Sequence, residues 1–210
     1  MTDRYGNIWF TAANDPVRKL NPKTNEFSEY VVKPGGGTID DLLFDSHGRL
    51  WYCSDDKNMN EVGFIDPLTG KVTHFPMTTP NSGPAHIKID SNGMVWTNLI
   101  YINKLARIDP RSGEVVEWYW PGASDQKPES DPLGIDAKNR IWTQSAVDDN
   151  LYMFDPKSEA LTTYQMPDKG EGLHNLWLDE NGWFWTASFG HSQVIGFKAQ
   201  ESIEYETADR

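Results

Sequence analysis

The side chains of this chain able to do chemistry are a small set of imidazoles among a surplus of carboxylates. There are five His, with 31 Asp and Glu against 19 Lys and Arg. Two of the imidazoles open short apolar runs: His86 in PAHIKID and His174 in LHNLWLD. Asp40 and Asp41 in TIDDLLF, Asn175 beside His174, and Glu129 and Asp131 in PESDPLG hold comparable places. A second group lies in polar loops: Asp15, Asp55, Asp56, Asp148, Asp149 and His191. Carboxylates with two or three imidazoles are the ingredients of a divalent-cation site or of an acid–base pair. Imidazole exchanges a proton near neutral pH. Bound Mg²⁺ or Ca²⁺ would stabilise negative charge developing on a substrate. The same residues also have a plainer use. Paired Asp in surface loops form turns and solvated charge, and a strand-start His bonds to backbone.

Whether these residues meet depends on the elements that carry them. The sequence DxxGxhW recurs five times with small drift: DRYGNIW, DSHGRLW, DSNGMVW, DAKNRIW and DENGWFW. The Trp residues are Trp9, Trp51, Trp96, Trp142 and Trp185, at intervals of 42, 45, 46 and 43 residues. A period of this size marks one supersecondary unit stacked repeatedly. The third copy reads as four short strands, PAHIKID, MVWTN, KLARID and EVVEWYW, separated by turn signals. The last turn recurs as NPKTN, DPLTG, DPRSG and DPKSE. Four-stranded units of this length arranged radially make a β-propeller. The expected fold is therefore all-β, one domain over 1–210, with units near 1–33, 34–79, 80–123, 124–168 and 169–210. The first unit starts at Asp3 and lacks an innermost strand. That implies part of a larger propeller, or pairing with a second chain or copy. The alternative is a closed five-bladed ring with one defective blade.

On this fold the repeated Trp residues are inter-blade packing. The repeated Asp residues (Asp3, Asp45, Asp90, Asp136, Asp179) are turn-formers. Cys53 is the one cysteine, so an intrachain disulfide is excluded; it is expected to be a buried small hydrophobe. The net charge of −12 disfavours nucleic acid and anionic membranes as partners, because the field of the protein repels phosphate. It suits a cation or a small polar molecule. No apolar run approaches the length of a membrane span. Strand starts and the loops between second and third strands fall on one face of a propeller, where a ligand site belongs.

The segments GPAHIKIDSNGMVWTN, NKLARIDPRSGEVVEW and DPLGIDAKNRIWTQ resemble the virginiamycin B lyase (streptogramin lyase) family. The resemblance covers nearly the whole chain. It implies a blade of that family's type. Its enzymes are seven-bladed propellers that open a cyclic depsipeptide ester by magnesium-dependent elimination. Their relatives are often exported. The family's catalytic His starts an innermost strand, about eleven residues before the blade Trp. Here that place holds Asp40, Ala85, Asp131 and His174, so His174 is the match. His86 is displaced by one residue. The family's metal-ligand Glu, two residues before the catalytic His, falls on Gly172, with Glu171 one off. A second ligand position, four residues after a blade Trp, falls on Phe189 and on Asp55. The resemblance thus implies His174 as base, with Asp55 and Glu171 near its ligand positions. The mapping onto one face adds His86 as orienting group, Asp131, Asn175 and His191 at the substrate, and Asp40 beside Asp55 and Glu171 at a Mg²⁺ or Ca²⁺ ion. A lactone hydrolase of the gluconolactonase kind is a less favoured enzyme reading. The competing class is a non-catalytic binding propeller within a larger assembly.

Overall fold

A computed structural model describes residues 1–11, 16–33, 37–56, 58–121, 132–144, 150–166, 172–188 and 190–198, with the backbone of 204–207. Of the candidate residues, Asp15, Glu129, Asp131, Asp148, Asp149 and Glu171 lie outside these, as does Phe189. The described residues contain strands and turns and no helix. The first sheet is β1 (Ile8–Phe10), β2 (Val17–Asn21) and β3 (Glu26–Tyr30). The second is β4 (Asp41–Phe44), β5 (Leu50–Ser54), β6 (Glu61–Ile65) and β7 (Val72–Pro76). The third is β8 (Pro84–Ile89), β9 (Val95–Leu99), β10 (Lys104–Ile108) and β11 (Val115–Tyr119). The fourth is β12 (Gly134–Ile135), β13 (Ile141–Gln144), β14 (Asn150–Asp155) and β15 (Ala160–Gln165). The fifth is β16 (Leu173–Leu178), β17 (Trp183–Ser188), β18 (Gln193–Lys198) and β19 (Glu204–Thr207). Each sheet is an antiparallel meander in chain order. The first has three strands and lacks the innermost one, as its sequence implies. A single Thr2–Ile8 bridge marks the place where that strand would end.

The DxxGxhW unit folds the same way five times. In each copy one Asp oxygen accepts the amides two and four residues on; the other accepts the indole Nε1–H six residues on. The indole distances are 2.9 Å for Trp9 on Asp3, 2.8 Å for Trp51 on Asp45, and 3.1 Å for Trp96 on Asp90, Trp142 on Asp136 and Trp185 on Asp179. Asp90, for example, receives the amides of Asn92 and Met94. The turn needs a left-handed residue at its fourth position. Gly6, Gly48, Gly93 and Gly182 supply it with φ of 79–86°, and the fourth copy uses Asn139 at 62°. Asn is the side chain that best tolerates that region after Gly.

Anchored indoles then pack forward. One apolar cluster joins Trp9 to the second sheet, and another joins Trp51 to the third. Trp96 joins the fourth, and Trp142 the fifth. Trp9, Trp51, Trp96 and Trp142 are fully buried. Trp185 stacks instead on Trp183, at 6.1 Å between centroids, over Gly196. The Trp residues are thus packing elements. The Asp residues do more than form turns, because each also fixes its indole.

Polar struts tie blades together at the rim. The Glu117 carboxylate accepts the amides of Thr78 and Thr79, the Thr79 hydroxyl and the Lys104 ammonium. Burial opposes its charge, but the bonds from Thr78, Thr79 and Lys104 prevail and hold its pKa down to about 2.

Two outcomes follow. Asp90→Ala should lower stability by about 3 kcal/mol in urea unfolding, because it leaves the buried Trp96 Nε1–H without its acceptor; a loss under about 0.5 kcal/mol would count against the clamp. Glu117→Gln should melt lower than the parent at pH 7. A carboxyl depressed on folding stabilises above its unfolded value and loses that contribution as pH falls through its folded one. The gap should therefore close between the ordinary 4.5 and about 2.

Candidate functional site

The site is built where the innermost strands of the second, third and fifth sheets begin. β8 and β16 are both bulged at their start. The β8–β9 register shifts between Ala85 and Ile87, and the β16–β17 register shifts between His174 and Trp177. The bulge residues take left-handed backbone: His86 at φ 55° and Asn175 at φ 59°. Counted from the blade Trp, His86 and Asn175 are equivalent, and so are Ala85 and His174. The one-residue offset of His86 in the sequence is therefore a real difference in position. It does not separate the two imidazoles. The rings of His86 and His174 meet edge to face, with centroids 5.6 Å apart.

They meet across an intervening blade because that blade is cut back. Its innermost strand, β12, has two residues. At Gly134 a Cβ would lie 2.7 Å from Phe184 and 2.9 Å from Leu176. The missing side chain lets the fourth sheet close onto the fifth. Further along, the Leu173 amide donates to Gln144 Oε1 at 2.8 Å, which fixes the start of β16 and so His174. Asn175 Nδ2 sits 3.4 Å from His174 Nδ1.

The carboxylates come from the second sheet. Asp40 Oδ2 accepts the His86 amide at 3.1 Å and lies 3.9 Å from His86 Nδ1. Asp41 accepts the amides of Leu42 and Ile87. Asp55 accepts the Tyr101 hydroxyl at 3.2 Å, tying the loops of the second and third sheets. Burial raises the Asp40 pKa above the carboxylate norm, and the neighbouring Asp55 and Asp41 add to this against the opposing pull of His86. Cys53 is fully buried beneath this group, and burial pushes its thiol well up, which makes it inert.

The structure thus gathers His174, His86, Asn175, Asp40 and Asp55 from the sequence candidates, with Asp41. His191 lies exposed in the turn between β17 and β18, its amide on Ser188 Oγ. Asp131 and Glu171 fall outside the described residues. Among the described residues no three His, Cys, Asp or Glu converge as a metal cluster. Asp40 and Asp55 supply two carboxylates, which is fewer donors than a hard cation takes. Sequence reasoning missed Tyr101, Gln144 and Lys88. Tyr101 had a signal, because its ring lies where a side chain on Gly83 would stand, and Gly83 opens the GPAH motif.

Comparison with known proteins decides the family. The model of the virginiamycin B lyase family matches residues 1–196. The chain belongs to the virginiamycin B lyase family. Among solved structures it is similar to virginiamycin B lyase from Staphylococcus aureus in its selenomethionine form. That match has a TM-score of 0.86 at 16% identity and covers 100% of this chain and 69% of that one. A structure of streptogramin B lyase gives a TM-score of 0.82 at 19% identity, over 100% of this chain and 68% of that one. An extracellular domain from B. thetaiotaomicron, assigned to a one-component system, gives 0.77 at 15% identity, over 99% of this chain and 30% of that one. No curated protein sequence matches the chain. At these identities the structural likeness establishes the fold, a family propeller, as the repeat implies.

The Asp40 environment gives a test. A carboxylate whose folded pKa is raised loses stability on ionising, fully above the raised value and not at all below the unfolded one. Asp40→Asn mimics the protonated form and can still accept the His86 amide. It should melt about 2 °C or more above the parent at pH 7. The advantage should vanish as pH falls toward the ordinary 3.8. A lower melting temperature at pH 7 would contradict the assigned burial.

Proposed function

We propose that the chain carries the acid–base half of a lyase site, acting by C–O elimination on an ester- or lactone-type substrate. The observation that supports this most is the meeting of His86 and His174, from different blades, beside the Asp40 carboxylate. In this reading His174 takes the proton from the carbon next to a carbonyl. The electrons of that C–H bond form a C=C bond. The adjacent C–O bond breaks, its pair stays on oxygen, and a carboxylate departs. His86 orients the substrate, its ring turned edge-on to the base. Asp40 supports His86 through the backbone amide and the nearby imidazole nitrogen. Asn175 and His191 are substrate contacts, with Asp131 a further one. Mg²⁺ or Ca²⁺ at Asp40 and Asp55 would need donors beyond them, and Glu171 is the proposed addition.

Family membership supports this reading, and so does the likeness to structures named as lyases, one of them a catalytically inactive virginiamycin B lyase holding quinupristin (TM-score 0.84, 17% identity, 98% of this chain and 67% of that one). A second reading, a small-molecule binding propeller without turnover, is favoured by the extracellular domain noted above, because one scaffold hosts many roles.

The two separate on one assay. Ring opening of a cyclic depsipeptide by this chain, with and without added Mg²⁺, is followed by mass spectrometry. Elimination leaves the mass unchanged and yields an unsaturated product, whereas hydrolysis adds one water. His174→Ala should lower kcat/KM by 10²-fold or more, the scale of a lost general base; His86→Ala should act more on KM. Binding of the depsipeptide without turnover, unaffected by His174→Ala, would establish the binding module instead.

A further inference from the structure

Below the two imidazoles stands a second cross-blade pair. The Lys88 ammonium lies 5.5 Å from the centroid of the Trp177 ring. Both residues sit on innermost strands, eight positions before their blade Trp. The equivalent places on β4 and β12 hold Leu43 and Gly134. A cation at this place is therefore no requirement of the repeat. Three features single out Lys88.

The first is its lack of acceptors. Among the described residues no oxygen bonds the Lys88 ammonium and no carboxylate pairs with it. Asp41 acts on it only through space, while its oxygens accept the amides of Leu42 and Ile87. The second is its setting. Lys88 is half-buried, and burial pushes its ammonium pKa down, more than Asp41 holds it up. Its ammonium still reaches solvent, so the donors are open to a ligand. The third is the neighbouring surface. Trp177 remains 67% exposed at the end of β16, next to the exposed Leu178. Its indole offers a flat apolar surface beside an ammonium that no oxygen of the described residues holds.

We propose that Lys88 and Trp177 form a subsite for a carboxylate, with the ammonium taking the oxygens and the indole taking the flat or apolar body of the same ligand. Lys88 lies two residues beyond His86 on β8, a rise of about 6–7 Å along a strand. The ammonium follows the His86 imidazole along the same innermost strand. The subsite thus receives the carboxylate that departs when the C–O bond breaks. This last role rests on the elimination read above, but the carboxylate binding does not.

The test uses the full chain and two probes of the same shape. Benzoate carries the carboxylate and benzamide is its neutral counterpart. Binding is followed by calorimetry and by quenching of Trp fluorescence. Saturable benzoate binding is expected, at least tenfold weaker in Lys88→Met and at least tenfold weaker for benzamide. Lys88→Arg should retain it and Trp177→Leu should weaken it. Benzoate binding is read without turnover, so failure of the lyase assay and failure of the subsite are told apart. Lys88→Met should melt within about 5 °C of the parent, because what it loses is one cation–π contact and a through-space attraction to Asp41. The proposal falls if benzoate shows no saturable binding, or if Lys88→Met or benzamide binds as well as the parent pair. It falls too if Lys88→Met melts more than 5 °C lower, which would make Lys88 part of the fold.

Discussion

One carboxylate, used five times, carries this architecture. At each blade an Asp accepts two amides of its own turn and the indole of a Trp six residues later. The turn amides would otherwise go unpaired at the end of a hairpin, and the indole N–H would be buried without a partner. Meeting both needs with one side chain couples the shape of the turn to the aim of the Trp. The Trp in turn forms the centre of the cluster with the next blade. The carboxylate environment reflects this. Burial raises the Asp45 pKa, yet the bonds from Trp51 and Arg49 outweigh it and hold the group below its ordinary value. Inter-blade geometry thus follows from contacts made within each blade.

Much of this was legible in the sequence. The repeat period, the four-strand unit, the missing inner strand and the packing role of Trp all follow from spacing and residue type. The indole–carboxylate bond did not, because a separation of six says nothing about direction until the turn is folded. The candidate site was legible in part. Counting back from each Trp located His174 and Asp40. His86 falls on the same face and one residue off the family position, but its distance from His174 was not legible. Only the two bulges, together with Gly134 and the short β12, bring the imidazoles within ring contact. Lys88 was hidden for the opposite reason. It sits inside an apolar-looking strand, and its meaning appears only beside Leu43, Gly134 and Trp177 at the matching places.

The site divides between rigid and adjustable parts. Asp40, Asp41 and Gln144 act through backbone amides, so they set where strands begin. The imidazoles, Tyr101 and Lys88 act through side-chain ends. Chemistry can therefore change at the second group while the first holds the frame, as the breadth of roles on propellers requires.

The left-handed residue at the head of β8 and β16 has a consequence for how such a ring diversifies. A regular strand offers one inward address per blade at its start. A bulge adds a second, one residue along, on backbone that His and Asn accept at little cost. The third blade writes His at the second address and the fifth writes it at the first. A functional group can thus be reassigned between blades by a point substitution, with no insertion and no change to the clamp beneath it. A repeat that looks uniform from its Trp spacing is in this sense a keyboard with two rows.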